Sequence, residues 1–521
     1  MHWADKIAKE IISSKKYKPY WVDDMTTPSG YAHIGSIRGP LIHDLIYKAL
    51  KNSGEKAVST YVFNDFDPID GLPKELLKDF SKYLGFSLRE APSPVNGYKS
   101  FGEYFSEDFK KVLVRLGIEA KFLSSYDLYK EGKFDGVIKI ALDNAEKIQE
   151  IYHKVSGSEK KEKGWLPFQV VCENCKKLGT TLVYAWDEKE VSYKCEPNLV
   201  SWAKGCGHEG KISPYGGTGK LPWKVDWSAH WKVIGVTVEG AGKDHASAGG
   251  SYDIAMAICK DIFDYPKPFK LPYEWFVVGG KKMSSSKGVG FKAHDITKIF
   301  PPEVARFLFT RADYKEAIDF DPVGTMAIPD IFDEYDRCWK AYTDSSNENM
   351  ADAFKLSQIN FIPKKESKLF LPRFRDVANY IQITEKDLGK KFAEVKGSKL
   401  SEKEIDILKQ REIYAKYWLE NYAPDDFKVE MKKKTPKIKL DEEQKKFLKG
   451  VADLIKGETN EEKLQKDLYE LAKSSGMEVK KAFSSIYLVF IGKEFGPRAG
   501  HFLLQYPKAK VLKRLEEALK L

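Results

Sequence analysis

Two separated motifs carry residue types suited to phosphate chemistry. Near the start, Pro28-Ser29-Gly30-Tyr31-Ala32-His33-Ile34-Gly35-Ser36 stands where a strand should hand over to a helix. A helix N-terminus presents free N–H groups and a partial positive charge, so it suits a phosphate chain. Glycines let the backbone approach a flat purine and its ribose, and the His33 imidazole can donate to phosphate oxygens as charge builds on them. About 250 residues later, Gly279-Gly280-Lys281-Lys282-Met283-Ser284-Ser285-Ser286-Lys287-Gly288 follows the apolar stretch Trp275-Phe276-Val277-Val278. A loop of glycine and serine with lysines at both ends can close over a triphosphate and offset charge on the α-phosphate and the departing pyrophosphate. Each motif also has a plain reading, as a strand-to-helix turn with a capping histidine or as an exposed basic loop.

A third constellation is Cys172-x-x-Cys175, then Cys195, then Cys206-Gly207-His208. Two thiolates two residues apart grip one side of a tetrahedral zinc ion. The second half is irregular, because ten residues separate Cys195 from Cys206, which reads as a zinc ribbon with a loop inserted in its second knuckle. The alternative is four free thiols. Six cysteines, four of them clustered, in a long chain without an export signal favour a metal site over a disulfide framework.

These residues need elements to position them. Residues 17–24 read as a first strand and Thr27-Pro28-Ser29-Gly30 as a loop. Ile37, Leu41, Ile42, Leu45, Ile46 and Leu50 give residues 35–50 helical spacing, and residues 57–63 read as a second, buried strand. Strand, glycine loop, helix, strand is the opening of a parallel α/β sheet. Residues 232–238 read as a returning strand. The expected architecture is α/β: a Rossmann-like catalytic domain split over residues 1–90 and 220–290, with a zinc-ribbon insertion over 91–219. A connecting helical region over 291–345 and an all-α region over 346–521 follow.

With 521 residues, 42% hydrophobic and 31% charged, the chain is long enough for two to four domains with a sizeable core. No run of about 18 apolar residues is present, so no membrane span is expected, and nothing at the start resembles a signal peptide; a cytoplasmic protein is expected. The net charge is +10, and residues 351–521 hold all of it, with 37 Lys and Arg against 27 Asp and Glu. A basic appendage on a neutral body suits a polyanion, tRNA included, or is simply a solvated helical surface rich in lysine.

Taken together, the first two motifs resemble the "HIGH" and "KMSKS" signatures of class I aminoacyl-tRNA synthetases, in the right order and each after a strand. Within that class the chain resembles the class I lysyl-tRNA synthetases. That resemblance is carried by Thr27-Pro28-Ser29-Gly30, Leu221-Pro222-Trp223-Lys224-Val225-Asp226-Trp227, Gly242-Lys243-Asp244-His245, Gly249-Gly250-Ser251-Tyr252-Asp253 and Phe495-Gly496-Pro497-Arg498-Ala499-Gly500. It implies ATP-dependent activation of lysine and transfer to the 3′ end of its tRNA, with Mg²⁺ accompanying the ATP. It places His33, Lys282 and Lys287 in catalysis, and Gly35, Ser36, Lys243, Met283 and Ser286 against the nucleotide. It places Thr27, Trp223, His245 and Tyr273 around the amino acid. Two aromatic walls suit the methylene stem of lysine, with a carboxylate on its ammonium; Asp24, Asp65 and Asp67 are the candidates, Asp65 being carried forward. The family uses His as well as Cys in its zinc knuckle, so Cys172, Cys175, Cys195 and Cys206 are the expected ligands with His208 as the alternative fourth. The basic C-terminal third would be a helical anticodon-binding region of a monomeric enzyme.

Three departures qualify the resemblance. A further metal site of some relatives falls here on Ser93, Gly97, Tyr98 and Tyr104, none a strong zinc ligand, so that site is expected to be absent. Ser36 ends the first motif where the class has histidine and the family often asparagine. Met25 stands where the family tends to have a glycine beside the amino acid. A glutamate- or glutamine-type synthetase and a tRNA-binding paralogue that has lost charging therefore stay open as alternatives.

Overall fold

The computed structural model describes residues 1–159, 164–283, 291–383, 387–429, 431–432, 434–458 and 460–520; the side chains of Lys282 and Ile383 are not described. Among these residues the chain forms two compact units, residues 1–320 with 345–361 and residues 321–344 with 362–521.

The first unit is built on a parallel sheet. Its strands are β1 (Tyr20–Thr26), β2 (Ala57–Phe63) and β3 (Lys121–Ser124), then, after an insertion, β7 (Val238–Gly242) and β8 (Phe269–Tyr273). The insertion holds an antiparallel sheet of β4 (Thr181–Trp186), β5 (Val191–Cys195) and β6 (Glu209–Ile212). The order of the main sheet is β8-β7-β1-β2-β3, and each neighbouring pair is parallel. This is a doubly wound arrangement whose connections diverge between β1 and β7, which opens a crevice at the carboxyl ends of those two strands.

Three local expectations are corrected. β1 begins at Tyr20 rather than Tyr17, because Pro19 has no N–H to give a ladder. Residues 232–234 are not strand: they end helix α3 (Trp223–Ile234), which Gly235 closes in the left-handed region at φ +92°, and β7 starts only at Val238. Trp223, Trp227 and Trp231 recur every four residues, a helical period. β3 lies inside the stretch read as insertion, and its pairing with β2 completes the main sheet.

Helices α1 (Trp3–Ser14) and α2 (Arg38–Asn52) cover the sheet, with Ile11, Leu45, Ile46 and Leu50 buried against Val22, Val238 and Leu271. Burial of each such side chain contributes roughly 1.5–3 kcal/mol. Helix α4 (Pro302–Thr310) is locked to α2 by a buried ion pair between Arg306 and Asp44. Arg306 also donates to the carbonyls of Leu116 at 3.1 Å and Leu356 at 2.9 Å, which ties α5 (Glu348–Ser357) to this unit.

The regular elements among the second unit's described residues are all helices. Its core gathers Leu448, Val451, Leu464, Leu468, Ile486, Phe490, Phe502 and Leu515 from five amphipathic helices. Capping boxes start two helices, Ser401 with Glu404 and Asp441 with Gln444. No helix among the described residues is long and apolar enough to cross a membrane.

Candidate active site

A cavity of about 660 Å³ opens at the crevice between β1 and β7. The ends of three strands supply it: Asp24 to Thr26 from β1, Glu239 to Gly242 from β7, and Tyr273 from β8. One wall is aromatic. Trp223 stacks on Trp227 with ring centroids 6.0 Å apart, and His245 stands edge-on to both, 5.6 Å from Trp223 and 5.9 Å from Trp227. Trp223 remains 45% exposed, so an apolar ligand stem can cover it.

The floor is acidic and buried. Asp23, Asp24 and Glu239 are 0%, 7% and 1% exposed, and Asp24 and Glu239 line the cavity. Glu239 accepts from the indole N–H of Trp227 at 2.7 Å and from that of Trp231. Burial, with Asp23 close by, pushes its carboxyl well above the ordinary range despite those donors. Asp23 accepts from the Thr60 hydroxyl across the β1–β2 register, and its second oxygen has no partner among the described residues. Burial, opposed by the Thr60 hydrogen bond and aided by Asp24, raises Asp23 to about 8. His43 stands beneath, 3.5 Å from Asp24, accepting from the Gly240 N–H at 2.7 Å. Burial would lower its pKa, but Asp24, the Gly39 carbonyl and Asp23 together outweigh burial and raise it.

Gly39 makes room for this floor. A Cβ there would fall 2.7 Å from the Tyr273 hydroxyl and 2.8 Å from an Asp24 oxygen. Burial, then Asp24 and Glu239, push the Tyr273 hydroxyl well above its usual value, so it stays a donor. Asn64 also lines the cavity; its amide donates to the Met25 sulfur at 3.5 Å, and its buried oxygen has no partner among the described residues.

Thr27 is held by a chain of ionic bonds. Its hydroxyl donates to Asp67 at 2.7 Å, Asp67 takes the Lys220 ammonium on its other oxygen, and Lys220 reaches Asp226 at 3.0 Å. Lys220 is 1% exposed; burial works against its charge, but Asp226 and Asp67 outweigh it and raise its pKa. Asp226 accepts in turn from the Tyr129 hydroxyl at 2.5 Å.

The structure thus brings Thr27, Trp223, His245, Tyr273, Asp24 and Asp67 around one cavity. Asp65 does not join them. Its carboxylate accepts from Ser124 at 2.7 Å and from the Tyr126 N–H at 2.9 Å, fixing the turn after β3, so it is not placed to meet a ligand in the cavity. Glu239, Lys220, Asn64 and Asp23 had no motif to mark them; the one available signal was an acid at Glu239 inside an otherwise apolar strand.

Of the residues expected on the nucleotide side, His33, Gly35, Ser36 and Met283 lie together. Residues 32–34 pair with 291–293: the Ile34 N–H donates to Phe291 at 2.8 Å and the Ala293 N–H to Ala32 at 2.7 Å. The far end of the lysine loop is therefore stitched to the His33 element. Nδ1 of His33 accepts from the Ser36 N–H at 3.1 Å, which puts the proton of a neutral ring on Nε2 and makes that nitrogen a donor. A Cβ on Gly35 would lie 3.0 Å from the Met283 methyl and 3.1 Å from the His33 ring. Lys243 stands apart from the cavity lining, paired with Glu274 at 2.6 Å. The backbone of Lys281–Lys282 forms a strand on Val277–Val278, while the Lys282 side chain, Ser286 and Lys287 lie outside the described residues.

In the insertion, the sulfurs of Cys172, Cys175, Cys195 and Cys206 all lie within 4.8 Å of one another, with Cys175 to Cys195 at 3.6 Å and Cys172 to Cys206 at 3.7 Å. Four thiolates at about 2.3 Å from a tetrahedral zinc stand about 3.8 Å apart, so the donor set fits that ion. His208 is not in the group; its carbonyl accepts from the Cys195 N–H at 2.8 Å. Tyr104 spends its hydroxyl on Tyr31, 2.6 Å away.

A doubly wound sheet with a glycine turn after β1 and a cavity at its switch point is an architecture that binds ligands at the carboxyl ends of its strands. A family model described as tRNA synthetases class I (K) matches residues 1–360, and an anticodon binding domain matches residues 370–519. The chain belongs to the class I tRNA synthetases, in their lysine family. It is 35% identical to a lysine–tRNA ligase of Methanosphaera stadtmanae over 99% of both chains, and 37% identical to that of Methanocaldococcus jannaschii over 99% of both. Among solved structures, a glutamate tRNA ligase of Elizabethkingia meningosepticum is similar over 96% of this chain and 99% of that one, with 12% identity and a TM-score of 0.42.

Proposed function

We propose that this chain is a lysine–tRNA ligase: it joins lysine to AMP at the expense of ATP and passes the lysyl group to the 3′ end of a lysine tRNA. One observation carries the amino-acid choice. Asp23, Asp24 and Glu239 crowd three buried carboxyls beneath an aromatic channel, with the His43 ring beside Asp24. Buried acids at this density need a positive charge, and a lysine ammonium supplies it while the methylene stem lies against Trp223 and Trp227. A glutamate side chain would bring another carboxylate against Asp24 and two acids that crowding and burial already hold protonated, so the same floor rejects it.

In the first step a carboxylate oxygen of lysine attacks the α-phosphorus of ATP and the bond to pyrophosphate breaks. His33, donating from Nε2, stabilises the oxygens that gain charge, and the lysines of the second motif are proposed to serve the pyrophosphate side. Mg²⁺ enters with ATP. In the second step a ribose hydroxyl of the tRNA attacks the lysyl carbonyl and AMP leaves. The chemistry rests on positioning and charge rather than on a covalent nucleophile. Zinc on Cys172, Cys175, Cys195 and Cys206 is proposed as a structural clamp for the insertion, and the enzyme is expected to work in the cytoplasm.

Pyrophosphate exchange with a panel of amino acids, with and without unfractionated tRNA, tests this reading. Exchange supported by lysine is expected. A response to glutamate or glutamine alone would overturn the specificity, and no exchange with any amino acid would favour a non-charging paralogue.

A further inference from the structure

Two residues that the chemistry leaves unassigned, Tyr31 and His294, stand beside the two motifs. Tyr31 lies two residues before His33, and His294 directly follows the 291–293 segment that pairs with residues 32–34. Their side chains meet. The Tyr31 ring is edge-on to that of His294 with centroids 5.1 Å apart, and the Lys292 ammonium lies 4.1 Å from the centroid of the Tyr31 ring.

One face of one helix holds both. In the helix Phe101–Arg115, Tyr104 and Asp108 are four positions apart and so are neighbours on its surface. The Tyr104 hydroxyl is 2.6 Å from that of Tyr31, and Phe105 adds an edge contact to the same ring at 5.1 Å. Nδ1 of His294 lies 3.1 Å from both carboxylate oxygens of Asp108; a carboxylate only accepts, so Nδ1 donates. Nε2 faces Asp295 at 3.7 Å. The helix is firmly seated: Ser100 caps its first turn, and Phe101, Phe105, Phe109 and Leu113 are buried. It therefore brackets the segment before His33 and the segment after the lysine loop together. These contacts are poor stabilisers, because the His294 and Asp108 side chains are 30% and 22% exposed and a pair so open to water adds little. Their use is directional. A hydrogen bond weakens steeply off its axis, whereas apolar contacts tolerate many angles.

We propose that Tyr31 and His294, gripped by Tyr104 and Asp108, are positioning residues for the nucleotide step: they set the angle at which the His33 turn and the 291–293 segment meet. This rests on the reading that the chain activates lysine with ATP. Pyrophosphate exchange by the full-length protein, with ATP and lysine varied separately, tests it. Asp108→Ala and His294→Ala are each expected to lower kcat/KM for ATP roughly tenfold or more, since either change lets His33 drift. The KM for lysine should stay within about twofold, because the amino-acid floor is untouched. The melting temperature should hardly move. Combining the two substitutions should cost no more than either alone, as for partners in one contact. His294→Asn, whose amide nitrogen can stand in for Nδ1, should recover most of the loss. A parent-like kcat/KM for ATP in His294→Ala would overturn the proposal and leave lysine activation standing. A KM for lysine raised to the same degree, with a lower melting temperature, would also overturn it and make the bracket a part of the fold only. If the parent protein exchanges with no amino acid, the underlying reading fails and takes the proposal with it.

Discussion

The methyl group of Met283 lies 3.0 Å from the point where a side chain on Gly35 would begin, so two motifs about 250 residues apart close on a single contact. A Cβ there would sit tighter than ordinary contact against both the Met283 methyl and the His33 ring, so one of them must give way. Gly35→Ala is therefore expected to push either the lysine loop or the imidazole out of place. Displacement of about an ångström at a reacting centre costs on the order of 100-fold in rate. Pyrophosphate exchange should fall by about that much, with the far-ultraviolet circular dichroism unchanged. Activity within twofold of the parent would show that the two motifs do not act together.

Glu239→Gln removes an ionisable acid from the pocket floor while leaving an oxygen for one of the two indole donors. The KM for lysine should rise about 100-fold or more, because a buried ammonium loses its charged partner. The melting temperature without lysine should hold or increase, since an uncompensated buried acid has gone. An unchanged KM would transfer the recognition to Asp24.

The acid floor also sets a pH dependence. Asp23 is raised to about 8, above its unfolded value, so the folded chain keeps a proton that the unfolded chain releases near pH 4. Stability without ligand should therefore decline as pH rises from about 4 to about 8 and then level off. Asp23→Asn should flatten that decline in scanning calorimetry. Lysine affinity should increase over the same window, with protons released in proportion, which calorimetry in buffers of differing ionisation enthalpy would record. Lysine binding that is independent of pH would sink the idea that the floor must ionise to meet the ammonium.

Lys220→Met leaves Asp67 and Asp226 buried or half-buried without their cation. Removing one partner of a buried ion pair costs about 3–5 kcal/mol. Because Asp67 holds the Thr27 hydroxyl, the KM for lysine should rise as well. Adding Asp226→Asn should recover part of the stability but little of the KM. A lower melting temperature with unaltered KM would limit Lys220 to a structural part.

The thiol cluster predicts one zinc per chain, countable by elemental analysis of the purified protein. Cys175→Ser should lower that ratio and the melting temperature together, whereas His208→Ala should leave the metal in place. Loss of zinc from the His208 variant would show that the fourth ligand is not Cys206.

Much of the catalytic architecture was legible because its signals are local. A strand, a glycine turn and a helical period identify the start of the sheet without any tertiary information. Residues whose role depends on distant partners were not legible. Glu239 is one acid in a strand of small and apolar residues, and only the fold brings Trp227 and Trp231 above it. Lys220 looks like any surface lysine until Asp67 and Asp226 surround it. Asp65 was the converse case, an acid at a plausible distance along the chain whose hydrogen bonds are already committed to the turn after β3. The tryptophan helix was misread at its end because Val236 to Val238 follow Lys232 closely enough to suggest an early strand.

The two compact units are interleaved along the chain, since residues 321–344 belong to the second and residues 345–361 return to the first. The backbone passes between them three times, so no single cut yields either unit intact. Ending the chain at residue 320 strips away Leu356, whose carbonyl receives Arg306. Ending it at residue 361 leaves the helix Ala327–Asp344 without the core it was folded to meet. A gene split at one point would thus give two damaged proteins, and shuffling this anticodon-type unit onto another catalytic body requires three matched junctions. Inheritance of the pair as one piece follows from the order in which the chain is threaded.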